Sequence, residues 1–298
     1  MAADLLKDLA ASFTRDLRAA DKADRTIVLY NQSIRFFCDW LQEHGLPETT
    51  ESLTKRQIAS WLADLREKQA ATTVLTRFRG MRRFTKWLIA EGEIDDDPMA
   101  NLEKPSPSSK PVPLMVDEEI SKLLKVCDGR TFEGRRDEAI FRVLFDCGLR
   151  IAELAKLGVD DVDLDNEVVH VIGKGRRPRV VPFSAKTARA LDRYGRLRRK
   201  HRHSESSGWW LGQRGALSAD GIDHILRVRA QQAGVKNVHA HRFRHTFAHD
   251  WLVNGGQERD LMRLAGWRTD TMLGVYGASA ATERAHLAAR RMKRGDRL

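Results

Sequence analysis

The chain has 298 residues, 42% of them apolar, which allows two domains with cores of their own and excludes a largely disordered chain. It carries 52 Lys and Arg against 41 Asp and Glu, and the net charge of +11 points to a polyanionic partner. Three scattered cysteines, Cys38, Cys127 and Cys147, exclude a disulfide framework and a cysteine zinc site, and no apolar run is long enough to span a membrane.

The N-terminus holds Asp4, Lys7 and Asp8 inside an amphipathic pattern, not the apolar core of a signal peptide, so a cytoplasmic protein is expected. Four helical patterns fill the first hundred residues. "DLLKDLAASFTRDLRAA" opens them. "TIVLYNQSIRFFCDWLQEHG" sets Leu29, Ile34, Phe37 and Trp40 near helical spacing and stops at Gly45. "TKRQIASWLADLREKQ" starts on Thr54 as N-cap. "ATTVLTRFRGMRRFTKWLIAEG" carries Arg77, Arg79, Arg82, Arg83 and Lys86 around an apolar stripe. Those cations read either as a solvated face or as a helix laid along a DNA groove.

"NLEKPSPSSKPVP" holds four of the eight prolines and reads as an extended linker. The expected division is therefore 1–102, a helical domain; 103–113, a linker; and 114–298, a second domain. The first 110 residues hold 17 basic and 17 acidic side chains, the rest 35 and 24, so the whole surplus lies in the second part. There "VDEEISKLLKVC" opens a helix, and "RRDEAIFRVLFDCGLRIAELAKLG" gives one or two more, broken near Gly148. "VDDVDLDNEVVHVIGKGRRPRVVPF" is a strand region with a hairpin at Gly-Lys-Gly. Helices return in "KTARALDRYGRLRRKHR", "SADGIDHILRVRAQQAG", "HAHRFRHTFAHDW", "QERDLMRLAGW" and the tail "ATERAHLAARRMKRGDRL".

The stretch from His239 to Trp251 packs four histidines and two arginines into one helix. His241 and His245 have the i, i+4 spacing of a zinc site, but Arg242 and Arg244 interleave them, and cations beside a divalent metal repel it. Phe243, Phe247, Trp251 and Leu252 turn one side of that helix into a core, and an arginine drawn in with them needs an anion. Arg150 follows Gly148 where one helix ends and the next begins, a place suited to phosphate or to pairing with Glu153. Lys174 sits at the hairpin tip, where it either reaches a neighbouring site or, with Arg176, Arg177 and Arg179, blunts the strand edges. Tyr276 lies in a stretch of small residues; its hydroxyl is a weak nucleophile unless cations and a base surround it.

In this order, Arg in "GLRIAEL", Lys in "GKG", "HRFRH", then Gly-Trp and a tyrosine nine residues on, the chain resembles the tyrosine recombinases, the integrase family of phage integrases, Cre and the Xer proteins. The similarity runs over nearly the whole chain. It implies a mainly α fold with a small β-sheet: an N-terminal helical, SAM-like core-binding domain and an α+β catalytic domain. It implies Arg150, Lys174, His241, Arg244, Trp267 and Tyr276 as catalytic residues, Tyr276 being the nucleophile, with Glu153 and His245 in support. Arg77, Arg79, Arg82, Arg83, Lys86, Arg176 and Arg177 are the expected DNA contacts.

The implied reaction passes through a 3′-phosphotyrosyl intermediate and uses no cofactor, metal or ATP. The implied partners are double-stranded DNA at core-type sites, an accessory directionality factor and further copies of the chain. Four copies would act on two duplexes, exchanging the C-terminal helix between neighbours. No membrane is involved, and the expected location is the cytoplasm of a bacterial host. Trp267 stands where histidine is common, and "GASA" follows Tyr276. Both features favour an integrase of a phage or other mobile element over a Xer-like chromosome or plasmid dimer resolvase. The resemblance starts directly at the core-binding domain, so a recombinase without the arm-type domain of the lambda type is expected. A type IB topoisomerase, a DNA-binding protein of the same fold without catalysis and a metallohydrolase on the histidine helix are the other readings.

Overall fold

The computed structural model describes residues 4–106, 113–127, 129–173 and 177–297, without the side chains of Tyr276, Ala278, Ser279, Thr282, Arg294 and Arg297. Two compact units form, Met1–Lys110 and Pro111–Leu298.

The first unit is helical: α1 (Leu6–Ala19), α2 (Asp24–Glu43), α3 (Lys55–Lys68) and α4 (Ala71–Glu91). Thr54 caps α3 by accepting a hydrogen bond from Gln57 N, and Gly45 takes the left-handed φ of +67° just past α2. The apolar stripes meet around Phe13, whose ring lies 5.3 Å from Phe84 and 5.4 Å from Trp87. Gly80 lets α2 and α4 approach closely, since a Cβ there would meet Ser33 Oγ at 2.3 Å.

The second unit runs α5 (Asp117–Lys125), α6 (Phe132–Cys147), α7 (Ile151–Ala155), β1 (Val162–Asp163), β2 (Val168–Ile172), β3 (Pro178–Pro182) and α8 (Ala185–Arg198). It continues β4 (Leu211–Gly212), β5 (Gly215–Ala216), α9 (Ala219–Ala233), α10 (Ala240–Val253), α11 (Glu258–Ala265) and α12 (Asp270–Met292). The three-stranded antiparallel sheet has the order β1-β2-β3. Val169, Val171 and Val181 point into the core, while His170, Ile172 and Val180 alternate outward. The pair β4–β5 has two residues per strand, too few for an alternating pattern to betray it.

A second, smaller core joins α10, α11 and α12 through Ala248, Leu252, Leu261, Met262, Ala265, Trp267 and Ala280. The sequence divides the C-terminal region into a small-residue stretch and a tail helix. The structure makes both one helix of 23 residues, because Gly274 and Gly277 weaken a helix without ending it. Glu283 lies 3.5 Å from His249, and Arg284 lies 2.8 Å from Glu258, so this part of α12 rests on its own chain. Among the described residues no helix is long and apolar enough to cross a membrane.

Candidate active site

The α6–α7 junction builds the first half of the site. Gly148 ends α6 at φ +56°, and the chain re-enters a helix with Arg150 as N-cap of α7. Glu153 sits three residues on and accepts the Arg150 backbone N–H at 3.0 Å, the return half of a capping box. The same carboxylate accepts Arg150 Nη1 at 2.9 Å. Arg179 on β3 then grips it with both ends of its fork, Nη1 at 3.1 Å and Nη2 at 2.8 Å. Burial alone would raise the Glu153 pKa; the Arg179 hydrogen bonds, the Arg150 N–H and both positive charges outweigh it and hold the carboxyl below its ordinary value. Glu153 therefore stays anionic, which leaves Arg150, with a third of its side chain exposed, oriented but open.

Helix α10 supplies the other half. Arg244 is 1% exposed. Its Nη1 donates to the Gly148 carbonyl at 2.7 Å and its Nη2 to Ala265 O, and its guanidinium lies 5.3 Å from the Trp267 ring. His241, one turn earlier, sits on the exposed side of the helix. Partial desolvation and the charges of Arg244, His239 and Arg150 hold its pKa below the usual histidine value. Desolvation, then His241, His239 and Arg244, push His245 down to about 4. Among the described residues no three His, Cys, Asp or Glu side chains converge as metal ligands.

Other residues of the two halves hold the fold or lie outside the described residues. His239 caps α10 by accepting a hydrogen bond from Arg242 N. Arg242 is buried and tied to the carbonyls of Pro113, Leu114 and Lys236 and to Glu119. Lys174 and Arg176 lie outside the described residues; Arg177 is exposed. Gly173, the residue before Lys174, is close to the site: a Cβ on it would lie 3.8 Å from Glu153 Oε1. Tyr276 lies in α12, and its side chain is outside the described atoms. The next residue, Gly277, packs on α10, where a Cβ would meet Leu252 at 3.0 Å.

Other nucleophiles are poorly placed. Burial pushes the Cys38 and Cys127 thiols up to about 12 and Cys147 well above its ordinary value. Tyr194 is buried, donates to Trp209 O, accepts from Leu211 N, and is raised to about 12 by desolvation.

On α4 the five cations do not form one free face. Arg77 packs 4.6 Å from the Phe36 ring and donates to Gln32 Oε1, and Arg83 lies 3.7 Å from Asp16. Arg82 lies 6.0 Å from the Phe78 ring, while Arg79 and Lys86 are exposed.

Sequence reasoning missed Arg179, read there as an edge charge. The signal was present in the strand alternation: Arg179 is in phase with Val181 and Phe183, both buried, so its side chain had to face inward and find an acid.

A helical unit ahead of a mixed unit, with Arg150, Glu153, His241 and Arg244 drawn together in the second, defines the class of tyrosine recombinases. The model of the phage integrase family matches residues 114–283, and that of the phage integrase N-terminal SAM-like domain matches residues 10–92. The chain is 31% identical over 259 residues to tyrosine recombinase XerC of Oceanobacillus iheyensis, covering 84% of each. It is 32% identical over 274 residues to tyrosine recombinase XerD of Pseudomonas putida, covering 89% of this chain and 90% of the relative. The chain belongs to the phage integrase family and is a tyrosine recombinase. In fold it is similar to a Tn1549 transposon integrase in complex with transposon right end DNA, with a TM-score of 0.74 at 18% identity, covering 97% of this chain and 99% of that one. A lambda integrase solved as a tetramer bound to a Holliday junction gives 0.70 at 16% identity, covering 90% and 79%.

Proposed function

We propose that the protein is a site-specific DNA recombinase whose nucleophile is Tyr276. The tyrosine oxygen attacks the scissile phosphorus, a 3′-phosphotyrosyl bond forms, and the bond to the 5′-oxygen breaks. His241 receives the tyrosine proton, and Lys174 gives a proton to the departing 5′-oxygen. Arg150 and Arg244 hold the non-bridging oxygens as negative charge builds. Glu153 orients Arg150, Trp267 packs beside Arg244, and His245 supports the histidine helix. A 5′-hydroxyl from a second strand reverses the step, so the bond energy is kept.

One observation carries this reading. Arg244 is fastened to the carbonyl of Gly148, two residues before Arg150, so two guanidiniums from distant parts of the chain converge on one turn. The depressed His241 pKa favours a neutral ring able to take a proton. Lys174 follows Gly173, which lies against Glu153. Tyr194 is locked in the core, and Tyr30 packs near Phe13 in the first unit, which leaves Tyr276. Arg244 is 1% exposed, so phosphate contact with it requires its surroundings to open.

The proposed substrate is duplex DNA at core-type sites. Four copies would act on two duplexes, lambda integrase having been solved as a tetramer bound to a Holliday junction; exchange of the C-terminal helix would require α12 to leave its contacts with His249 and Glu258. The proposed setting is the bacterial cytoplasm, with an accessory factor setting direction. Trp267 and the "GASA" that follows Tyr276 favour an integrase of a mobile element. The resemblance to proteins named XerC and XerD favours the second reading, resolution of chromosome or plasmid dimers. Recombination between two identical sites on one plasmid supports the second; recombination only between unlike sites supports the first.

The mechanism is tested with a suicide substrate that traps the covalent adduct and reports its DNA end. Wild-type protein is expected to give a 3′-phosphotyrosyl adduct at Tyr276. Tyr276→Phe is expected to bind the same DNA and give none; an adduct in that variant would identify another nucleophile.

A further inference from the structure

Arg179 leaves the hairpin facing inward, 11% exposed, and makes two kinds of contact at once. Its fork closes on both oxygens of Glu153 at 3.1 and 2.8 Å. Its Nε donates at 2.8 Å to the carbonyl of Leu264, in the last turn of α11. The next carbonyl, Ala265 O, accepts from Arg244. Two arginines thus hold consecutive carbonyls at a helix C-terminus, where free carbonyls concentrate negative charge. Gly266 follows at φ +65° with no room to spare, since a Cβ there would lie 3.3 Å from the Arg179 guanidinium carbon. Trp267 comes next.

We propose that Arg179 is a positioning residue for strand cleavage, coupling the α7 turn that carries Arg150 to the α11 end that carries Trp267. This rests on the cleavage reading above. The physical case is one of geometry and number of donors. Arg150 is oriented by Glu153, and Glu153 alone could swing; a bidentate fork from a different element fixes its plane. The same guanidinium fixes where α11 stops, and with it the Trp267 ring against Arg244. Arg179 sits on the strand that leads out of the Lys174 hairpin, so hairpin, α7 and α11 share one anchor. Lysine keeps the charge but has no planar fork and cannot hold Glu153 and Leu264 together in this geometry.

The experiment compares wild-type protein with Arg179→Lys and Arg179→Gln by three readouts: melting temperature, affinity for a core-site duplex, and the rate of adduct formation from the bound suicide complex. Both variants are expected to fold and to bind within a few-fold of wild type. Adduct formation is expected to slow on the order of 100-fold, the cost of a small misplacement of reacting groups. A double substitution with Glu153→Gln is expected to be no slower than the worse single variant, because both act through one link. Cleavage by Arg179→Lys at the wild-type rate, or losses that multiply in the double variant, would overturn the assignment. So would failure of both variants to fold, which would make Arg179 a residue of the fold and not of the reaction. Absence of any adduct with the wild-type protein would instead sink the cleavage reading itself.

Discussion

The Arg244 guanidinium and the Gly148 carbonyl, 96 residues apart in the chain, meet at 2.7 Å. That bond is possible because Gly148 turns left-handed at φ +56° and carries no side chain. A Cβ at this position would strike the Phe247 ring at 2.5 Å, and Phe247 stands on the same helix as Arg244.

Gly148→Ala is therefore expected to be damaging twice over. The left-handed backbone and the clash together should cost roughly 2–4 kcal/mol of stability. The forced shift of Phe247 should also draw Arg244 away from Arg150. Urea denaturation measures the first effect, and the adduct rate of the remaining folded protein measures the second. Wild-type stability would mean that Phe247 moves aside freely and that the turn tolerates a side chain.

The five cations of α4 should separate into two groups. Arg79 and Lys86 are exposed, and reversing both to Glu is expected to leave folding unchanged while weakening core-site binding and lowering its salt dependence by about one unit of slope per lost phosphate contact. Arg77 is stacked on Phe36 and bonded to Gln32, so Arg77→Glu is expected to lower the melting temperature as well. Gel shifts at two salt concentrations, beside thermal melts, check both. Unchanged binding by the Arg79 and Lys86 reversal would return this face to the solvent.

Much of this was legible beforehand. The helix starts and stops at Thr54, Gly45 and Gly148 follow from local chemistry that any short window contains. The grouping of Arg150 with Arg244 was legible only by family resemblance, because nothing local says that α10 reaches the α6–α7 turn. The metal question shows the same limit. Spacing put His241 and His245 on one face and the interleaved arginines spoke against a metal, but where Arg244 points, against Trp267, follows only from the packing. Arg179 was hidden by its surroundings of Arg176 and Arg177, although its phase with Val181 marked it. His239 is the N-cap of α10, a role that its place just ahead of the helix allowed and its residue type did not announce.

The pH dependence of cleavage should report His241. Its pKa is lowered by desolvation and by Arg244, His239 and Arg150. A neutral ring is needed to take the tyrosine proton, so the rate should hold through neutral pH and fall only as pH drops below the ordinary histidine range. His241→Gln is expected to be slower and to lose that acid limb. Single-turnover adduct rates across pH 5 to 8 make the test; an unchanged limb in the variant would assign it to another group.

The stability of the second unit should fall with acid in two stages, and the sign can be worked out for each. His245 has a folded pKa of about 4, lowered by desolvation first and then by His241, His239 and Arg244. Between its ordinary value of 6.5 and about 4 the unfolded chain binds the proton and the folded chain does not, so stability declines as pH falls through that window. Glu153 also has a lowered folded pKa, but its ordinary value is 4.5. Its contribution is complete above that value and is lost as pH falls through the folded pKa, a lower window. His245→Asn is therefore expected to flatten the decline between pH 6.5 and 4 and to leave the lower one. Urea midpoints at half-unit steps resolve the two. A slope in the upper window that survives in His245→Asn would move the effect to His239 or His241, whose pKa values are depressed in the same direction.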